Sequence, residues 1–307
     1  MNVFLSEIVL VEVDQVRSCP WRKPMDVTTF LFAKMNITNE EILRAEWSNT
    51  QNELKKQLIT TNNLSFNQET LEGLKYIAGV DVSFYDKPPA SNSQANDNGD
   101  DADASVVSTF SETAIVCLAV LNFPSLTLAH QIVKSVHLPL PYIPGFLAMR
   151  ECPAILEVLA DLKTQFPAAS PPQILFIDGN GVFHPRGFGV ACQVGVLTGV
   201  PTIGIAKNLL EIRDDGVKMK SVKALSADHL TGGKTFVNIV GESGVVYGAA
   251  VRATEGAKNP VFVSNGHCID LETAVKLTLA VSKHRQPEPI RFADHLGREF
   301  IRVEGRK

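Results

Sequence analysis

The stretch from Ile174 to Lys207 reads ILFIDGNGVFHPRGFGVACQVGVLTGVPTIGIAK. Four apolar residues, Ile174 to Ile177, stop at a carboxylate, Asp178, and small residues follow at once: Gly179, Asn180 and Gly181. A polar cluster, His184-Pro185-Arg186-Gly187, leads into Gly187 to Thr198, whose small residues Gly189, Ala191 and Gly195 predict a closely packed helix. A second apolar run, Thr202 to Ala206, ends on Lys207. Short apolar runs bounded by turn residues read as buried strands, and strand–helix–strand order predicts a parallel pair. Charged groups that close such strands gather at one sheet edge, where open α/β sheets build their sites.

Working outward, Tyr76 to Phe84 alternates as a strand, with Ala78, Val80, Val82 and Phe84 on one face and Ile77, Gly79, Asp81 and Ser83 on the other. Thr113 to Leu121 and Leu126 to Val136 predict two more strands around an Asn122-Phe123-Pro124-Ser125 turn. Phe146 to Leu162 and Ile269 to Ser282 predict helices, and Val245 to Arg252 and Pro260 to Ser264 strands. Pro287-Glu288-Pro289 reads as the start of an extended tail. Antiparallel strands first, then parallel crossovers, predict a mixed α/β sheet with helices on both faces.

Two segments stand apart. Residues 1–37 form an N-terminal extension with Glu7, Glu12 and Asp14 among its apolar residues, which argues against a signal peptide or membrane span. Thr38 and Glu41 then form a capping box, with Leu43, Trp47, Leu54 and Leu58 at helical spacing, opening a domain over residues 38–307. From Lys87 to Glu112 the chain holds five acids against one lysine, among Ser, Asn, Ala and Pro. Such composition buries too little apolar surface to offset its ordering entropy, so a disordered acidic insertion is expected. The net charge of −4 therefore understates how neutral the folded part is. Five widely spaced cysteines, an odd number, fit neither a disulfide framework nor a zinc site.

Three carboxylates break apolar patterns: Asp81 mid-strand, Asp178 at a strand end, and Glu151 on the helical stripe of Leu147, Ala154, Ile155, Val158 and Leu162. Singly, each is a turn residue or a salt-bridged acid. Together they repel, and a divalent cation removes that cost; oxygen-only ligands favour Mg²⁺, with Mn²⁺ able to substitute. Lys207 either snorkels to solvent or orients a water or phosphate oxygen beside such a site. His184 and His267 are weaker signals, although His267 follows a strand end and is expected on the same edge. The segment LPLPYIPGFLAMRE, Leu138 to Glu151, is either a proline-bounded helix entry or a rigid turn that holds an aromatic ring against an unstacked base.

IAGVDVSF, PYIPGFLAMRE, IDGNGVFHPRGFGVA, PTIGIAKNLL, NPVFVSNGH and PEPIRFAD, in that order between Thr38 and Asp294, resemble the endonuclease V family of inosine-specific nucleases, in its eukaryotic form. The resemblance implies a ribonuclease H-like mixed sheet. It implies metal-binding acids at Asp81, Glu151 and Asp178, with Lys207 and His267 as further catalytic residues. Tyr142, Ile143 and Pro144 match the family's wedge. Gly145, Leu147, Gly179, Asn180, Gly181 and the loop to Val190 match the pocket for the hypoxanthine base, with His184 and Arg186 near base and backbone. The implied reaction is Mg²⁺-dependent hydrolysis of the second phosphodiester bond 3′ to inosine in single-stranded RNA, leaving a 5′-phosphate and a 3′-hydroxyl. The protein would be a monomer in cytoplasm or nucleus, nucleolus included, with no membrane partner. Competing readings are a repair endonuclease for deoxyinosine in DNA, a non-catalytic reader of inosine RNA, and a phosphohydrolase of small phosphoesters. Met149 and Gln193 depart from the family, where Phe and His are usual.

Overall fold

The computed structural model describes residues 40–84, 112–167 and 170–304. Residues 1–37, Thr38 of the capping box and the insertion up to residue 111 lie outside them. Glu112 is not insertion but the first residue of a strand.

Helix α1 (Glu40–Lys55) precedes β1 (Tyr76–Phe84), β2 (Glu112–Asn122) and β3 (Leu128–Leu138). Then come α2 (Leu147–Gln165), β4 (Ile174–Asp178), α3 (Val190–Thr198) and β5 (Thr202–Ala206). A short turn of 3-10 helix (Arg213–Asp215), α4 (Met219–His229) and strands β6 (Thr235–Val240), β7 (Val246–Arg252) and β8 (Val261–Asn265) follow, with α5 (Leu271–Ala280) and α6 (Glu288–Glu304) last. The strands make one mixed sheet in the order β3-β2-β1-β4-β5-β8-β7-β6.

β1, β2 and β3 are antiparallel neighbours, and β1, β4 and β5 run parallel, as expected from the sequence. The later strands depart from it. β8 runs antiparallel to β5, and β7 and β6 continue antiparallel to the far edge. β6 and α4 escape the sequence reading because their stripes are thin: β6 is an edge strand with Phe236 and Val240 exposed, and α4 buries only Val222.

The expected tail after Pro287 is the 17-residue helix α6. Pro289 sits in its first turn, where backbone N–H groups have no intrahelical acceptor, so proline costs nothing there. The strand expected from Leu126 begins at Leu128, because Leu126 adopts φ 58° in the turn.

One apolar core, with Ala78, Val80, Leu175 and Ile177, packs under α2 and α3; another, with Ile77, Phe176, Ile203 and Ile205, packs under α5 and α6. The alternation of β1 and β4 sends successive residues to opposite layers. A Cβ on Gly79 would lie 2.1 Å from the Pro289 carbonyl, so glycine lets α6 lie directly on β1. Among the described residues no helix is long and apolar enough to cross a membrane.

Candidate active site

The register of β1 and β4 creates the site. Val80 pairs with Ile177 in parallel, so the next residues, Asp81 and Asp178, emerge side by side on the same face. Their carboxyls lie in hydrogen-bonding contact. Asp178 pairs in turn with Ile205, two residues before Lys207, whose Nζ lies 2.7 Å from Asp178 Oδ2. Arg285 fixes the lysine's backbone by donating to the carbonyls of Lys207 (2.6 Å) and Pro260 (3.0 Å). Ser83 donates to Asp81 Oδ2 at 2.9 Å.

Asp81 and Glu151 are both 5% exposed. Burial, then the contact with Asp178, pushes the Asp81 carboxyl up to about 7, against the pull of Lys207. Burial pushes Glu151 up to about 8, with Asp178 and Asp81 adding repulsion and Arg150 opposing it. The Arg150 guanidinium itself pairs with Glu112 and lies 4.8 Å from the Phe84 ring centroid, tying the end of β1 and the start of β2 to the helix that carries Glu151.

Among the described residues no three Asp, Glu, His or Cys side chains converge as a ready-made metal cage. The three acids share one region, but of their pairs only Asp81 and Asp178 touch, and Lys207 is ion-paired with Asp178. The donor chemistry nonetheless suits a hard cation. Two carboxyls in contact and a third held nearby, all with oxygen donors, repel one another until a cation neutralises them.

His267 is not brought to this edge. Its N–H bonds to Thr202 Oγ1 (2.9 Å), at the start of β5, and its Nδ1 accepts from Ile59 N (3.3 Å). Lys207 lies beyond the other end of that strand, roughly 16 Å away at strand rise. The antiparallel course of β8 is the reason, since its end meets the beginning of β5. Burial holds the His267 imidazole down to about 4.

Asp294 escapes the sequence reading because its helix reads as tail. On α6, Ile290, Ala293, Asp294 and Gly297 share the stripe at spacings of three and four. A Cβ on Gly297 would meet Ser83 Oγ at 2.9 Å, while Pro289 and Ile290 meet Gly79. Asp294 thus lies on the helical span that passes Asp81, ion-paired with Arg298. A carboxylate interrupting an apolar helical stripe is the signal that finds it.

The PYIPG segment divides. Tyr142 is 60% exposed and Pro144 is exposed, but Ile143 is 4% exposed and packs with Leu43, Trp47, Phe146 and Met149. Ile143 is therefore a core anchor under the turn rather than an exposed contact residue. Leu147 is half-buried at the start of α2. Gly145, at φ 83°, turns its carbonyl to two donors: His184 Nε2–H at 3.0 Å and the Arg186 guanidinium. His184 Nδ1 accepts from Arg186 N (3.2 Å), which assigns the neutral Nε2–H tautomer. Burial, then Arg186, holds that imidazole down to about 4. Arg186 also donates to Gln51 Oε1 (2.6 Å) and covers the Phe146 ring at 4.0 Å. His184 and Arg186 thus latch the Tyr142 turn to the loop after β4.

In that loop, Gly179 N–H donates to Ile205 O (2.9 Å) and Gly181 N–H to Ser264 Oγ (2.8 Å). The Asn180 and Gly181 carbonyls accept from Ala191 and Gly189. Both glycines therefore have their N–H groups engaged within the protein. They serve close packing: a Cβ on Gly179 would meet Val190 Cγ1 at 2.5 Å. Asn180 Oδ1 is a buried acceptor with no protein partner. Met149 and Gln193 are both buried, Met149 in the α1–α2 contact and Gln193 on α3.

The family model described as Endonuclease V matches residues 98–295. Human Endonuclease V is 38% identical over 258 residues, covering 83% of this chain and 82% of that protein. This chain belongs to the Endonuclease V family. It is accordingly an endonuclease. The crystal structure of human Endonuclease V shares the mixed α/β fold at a TM-score of 0.72 and 36% identity, covering 85% of this chain and 99% of that one. An Endonuclease V from Ciona intestinalis, crystallised with a 23mer DNA containing an inosine followed by a ribo-adenosine, has a TM-score of 0.72 and 32% identity, covering 86% and 99%.

Proposed function

We propose that this Endonuclease V homologue hydrolyses single-stranded RNA at the second phosphodiester bond 3′ to inosine, with Mg²⁺ as cofactor. The Asp81–Asp178 carboxyl pair beside Lys207 carries the reading. Asp81 and Asp178 would hold the ion, with Glu151 completing the site directly or through water. Bound there, Mg²⁺ supplies a lowered pKa for water and charge neutralisation at the phosphate. Water attacks phosphorus, the bond to O3′ breaks, and the leaving oxygen takes a proton. The products are a 5′-phosphate and a 3′-hydroxyl. Lys207, freed from Asp178, donates to a non-bridging phosphate oxygen as charge builds. Tyr142 offers a stacking face for a base lifted from its neighbours.

The strand in the Ciona complex supports an inosine substrate, and its ribonucleotide after the inosine favours RNA at the position next to the lesion. The same complex, being otherwise DNA, supports the second reading, cleavage of deoxyinosine DNA. Matched inosine and adenosine oligonucleotides, in RNA and DNA, with Mg²⁺ and with chelator, separate the two. Faster cutting of the RNA inosine strand, lost in chelator and in Asp178→Asn, is expected. Equal or faster cutting of DNA would remove the RNA preference. Wild-type rates in Asp178→Asn would remove the metal site.

A further inference from the structure

We propose that the groove between the Arg213 turn and α4 is a second nucleic-acid contact that holds the phosphates of the strand 3′ to the cut. The inference rests on the reading of the chain as a nuclease for inosine-containing single strands. The groove has a volume of about 840 Å³ and is lined by Glu211, Arg213, Lys218, Met219, Lys220 and Lys223. All four cations in it belong to exposed residues.

Three acids share this segment: Glu211 lines the groove and pairs with Arg213, exposed Asp214 follows Arg213, and Asp215 is bonded away from it, so Lys218, Lys220 and Lys223 carry the positive charge of the groove. Glu211 accepts from the Met219 N–H (2.8 Å) and from Arg213 Nε (2.8 Å), and the first of these, then the second, holds its carboxyl below the usual range. Asp215 faces the β6–β7 turn, where it accepts from the Ser243 N–H (2.7 Å), the Ser243 hydroxyl (2.6 Å) and Tyr247 (2.9 Å). A cationic concavity on a chain of net charge −4 runs against the bulk composition, and a polyanion is the partner that complements it.

Its location connects it to the cut. The chain leaves Lys207 and reaches the groove at Glu211 within four residues. Leu209, Ile212, Val217 and Val222 pack in one cluster with Phe183, the neighbour of His184. One small core thus supports both the loop beside the Tyr142 turn and the groove. A strand whose base sits at Tyr142 and whose scissile phosphate sits at Lys207 continues onto Lys218, Lys220 and Lys223. Met219, half-buried among them, gives an apolar contact for sugar or base.

The test uses the full chain in chelator, with binding read by fluorescence anisotropy. The probes are a short inosine strand ending just past the cut, and versions extended at the 3′ or the 5′ end. The wild type should bind the 3′-extended strand about tenfold more tightly than the short one. Lys218→Gln/Lys220→Gln/Lys223→Gln should lose that gain and lower the salt slope of log K by about 2. Its melting temperature and its affinity for the short strand should not change. A gain that survives in the triple variant, or arises equally from the 5′ extension, overturns the proposal. So does competition by polyglutamate as strong as that by unmodified single-stranded RNA, which would mark a surface for acidic proteins. Failure to cut inosine RNA would overturn the activity instead, while anisotropy with a long adenosine strand still decides the groove.

Discussion

Lys207 Nζ lies 2.7 Å from Asp178 Oδ2, joining the ends of β5 and β4 at the point where Asp178 also touches Asp81. The lysine supplies one positive charge to a site built from three acids. A divalent ion bound by those acids would release it toward the substrate. Lys207→Met should cut the cleavage rate by about 10²-fold while leaving substrate binding in chelator within a few fold. A rate within twofold of wild type would place the lysine outside the reaction.

The metal-free acids predict an unusual pH dependence. Free carboxyls titrate near 4, whereas Asp81 is raised to about 7 and Glu151 to about 8. Folding therefore takes up protons in between, so their stabilising effect is complete below about pH 4 and lost as pH rises through 7 to 8. His184 and His267, held down to about 4, act in the opposite sense, but that effect is confined to pH below about 6.5. In chelator, the melting temperature should fall from pH 6.5 to 8.5, and Asp81→Asn should flatten the decline. Excess Mg²⁺ should raise the melting temperature most at the upper end. A flat wild-type profile in chelator would contradict the shifts.

Neighbouring residues in the Tyr142 turn should fail differently. Tyr142→Ala removes an exposed ring, so single-strand binding should weaken by about 1–3 kcal/mol with melting unchanged. Ile143→Ala empties a core position against Trp47 and Phe146, costing about 2–5 kcal/mol of stability. Denaturant melts beside binding curves check both; equal effects on stability would merge the two roles.

Arg186→Lys keeps the charge but loses the planar fork that reaches Gly145, Gln51 and the Phe146 ring together. KM for the inosine strand should rise several-fold with a smaller change in kcat, because the Tyr142 turn is loosened rather than the acids. An effect confined to kcat would place Arg186 at the scissile phosphate instead.

Asp294→Asn tests the carboxylate on α6. The Mg²⁺ concentration for half-maximal rate should rise roughly 10- to 100-fold, as for a group supporting metal ligands. No change would leave Asp294 as the partner of Arg298 alone.

Local pattern carried much of the fold. Apolar runs placed β4 and β5, because a strand buried on both faces writes itself as continuous hydrophobicity, and alternation placed β1. The same runs exposed Asp81, Asp178 and Lys207, since a charge that ends or interrupts such a run is an anomaly at the level of sequence. Edge strand β6 and the thinly buried α4 left no comparable trace.

What sequence alone determined was which residues are costly to bury without a purpose. Tertiary structure decided which of them meet. The parallel register of β1 and β4 joined Asp81 to Asp178, and the antiparallel turn of β8 carried His267 to the other edge. The packing of α6 across Gly79 brought Asp294 past β1. Strand direction and helix placement follow from how distant faces are buried against one another, a property of contacts that no local window contains.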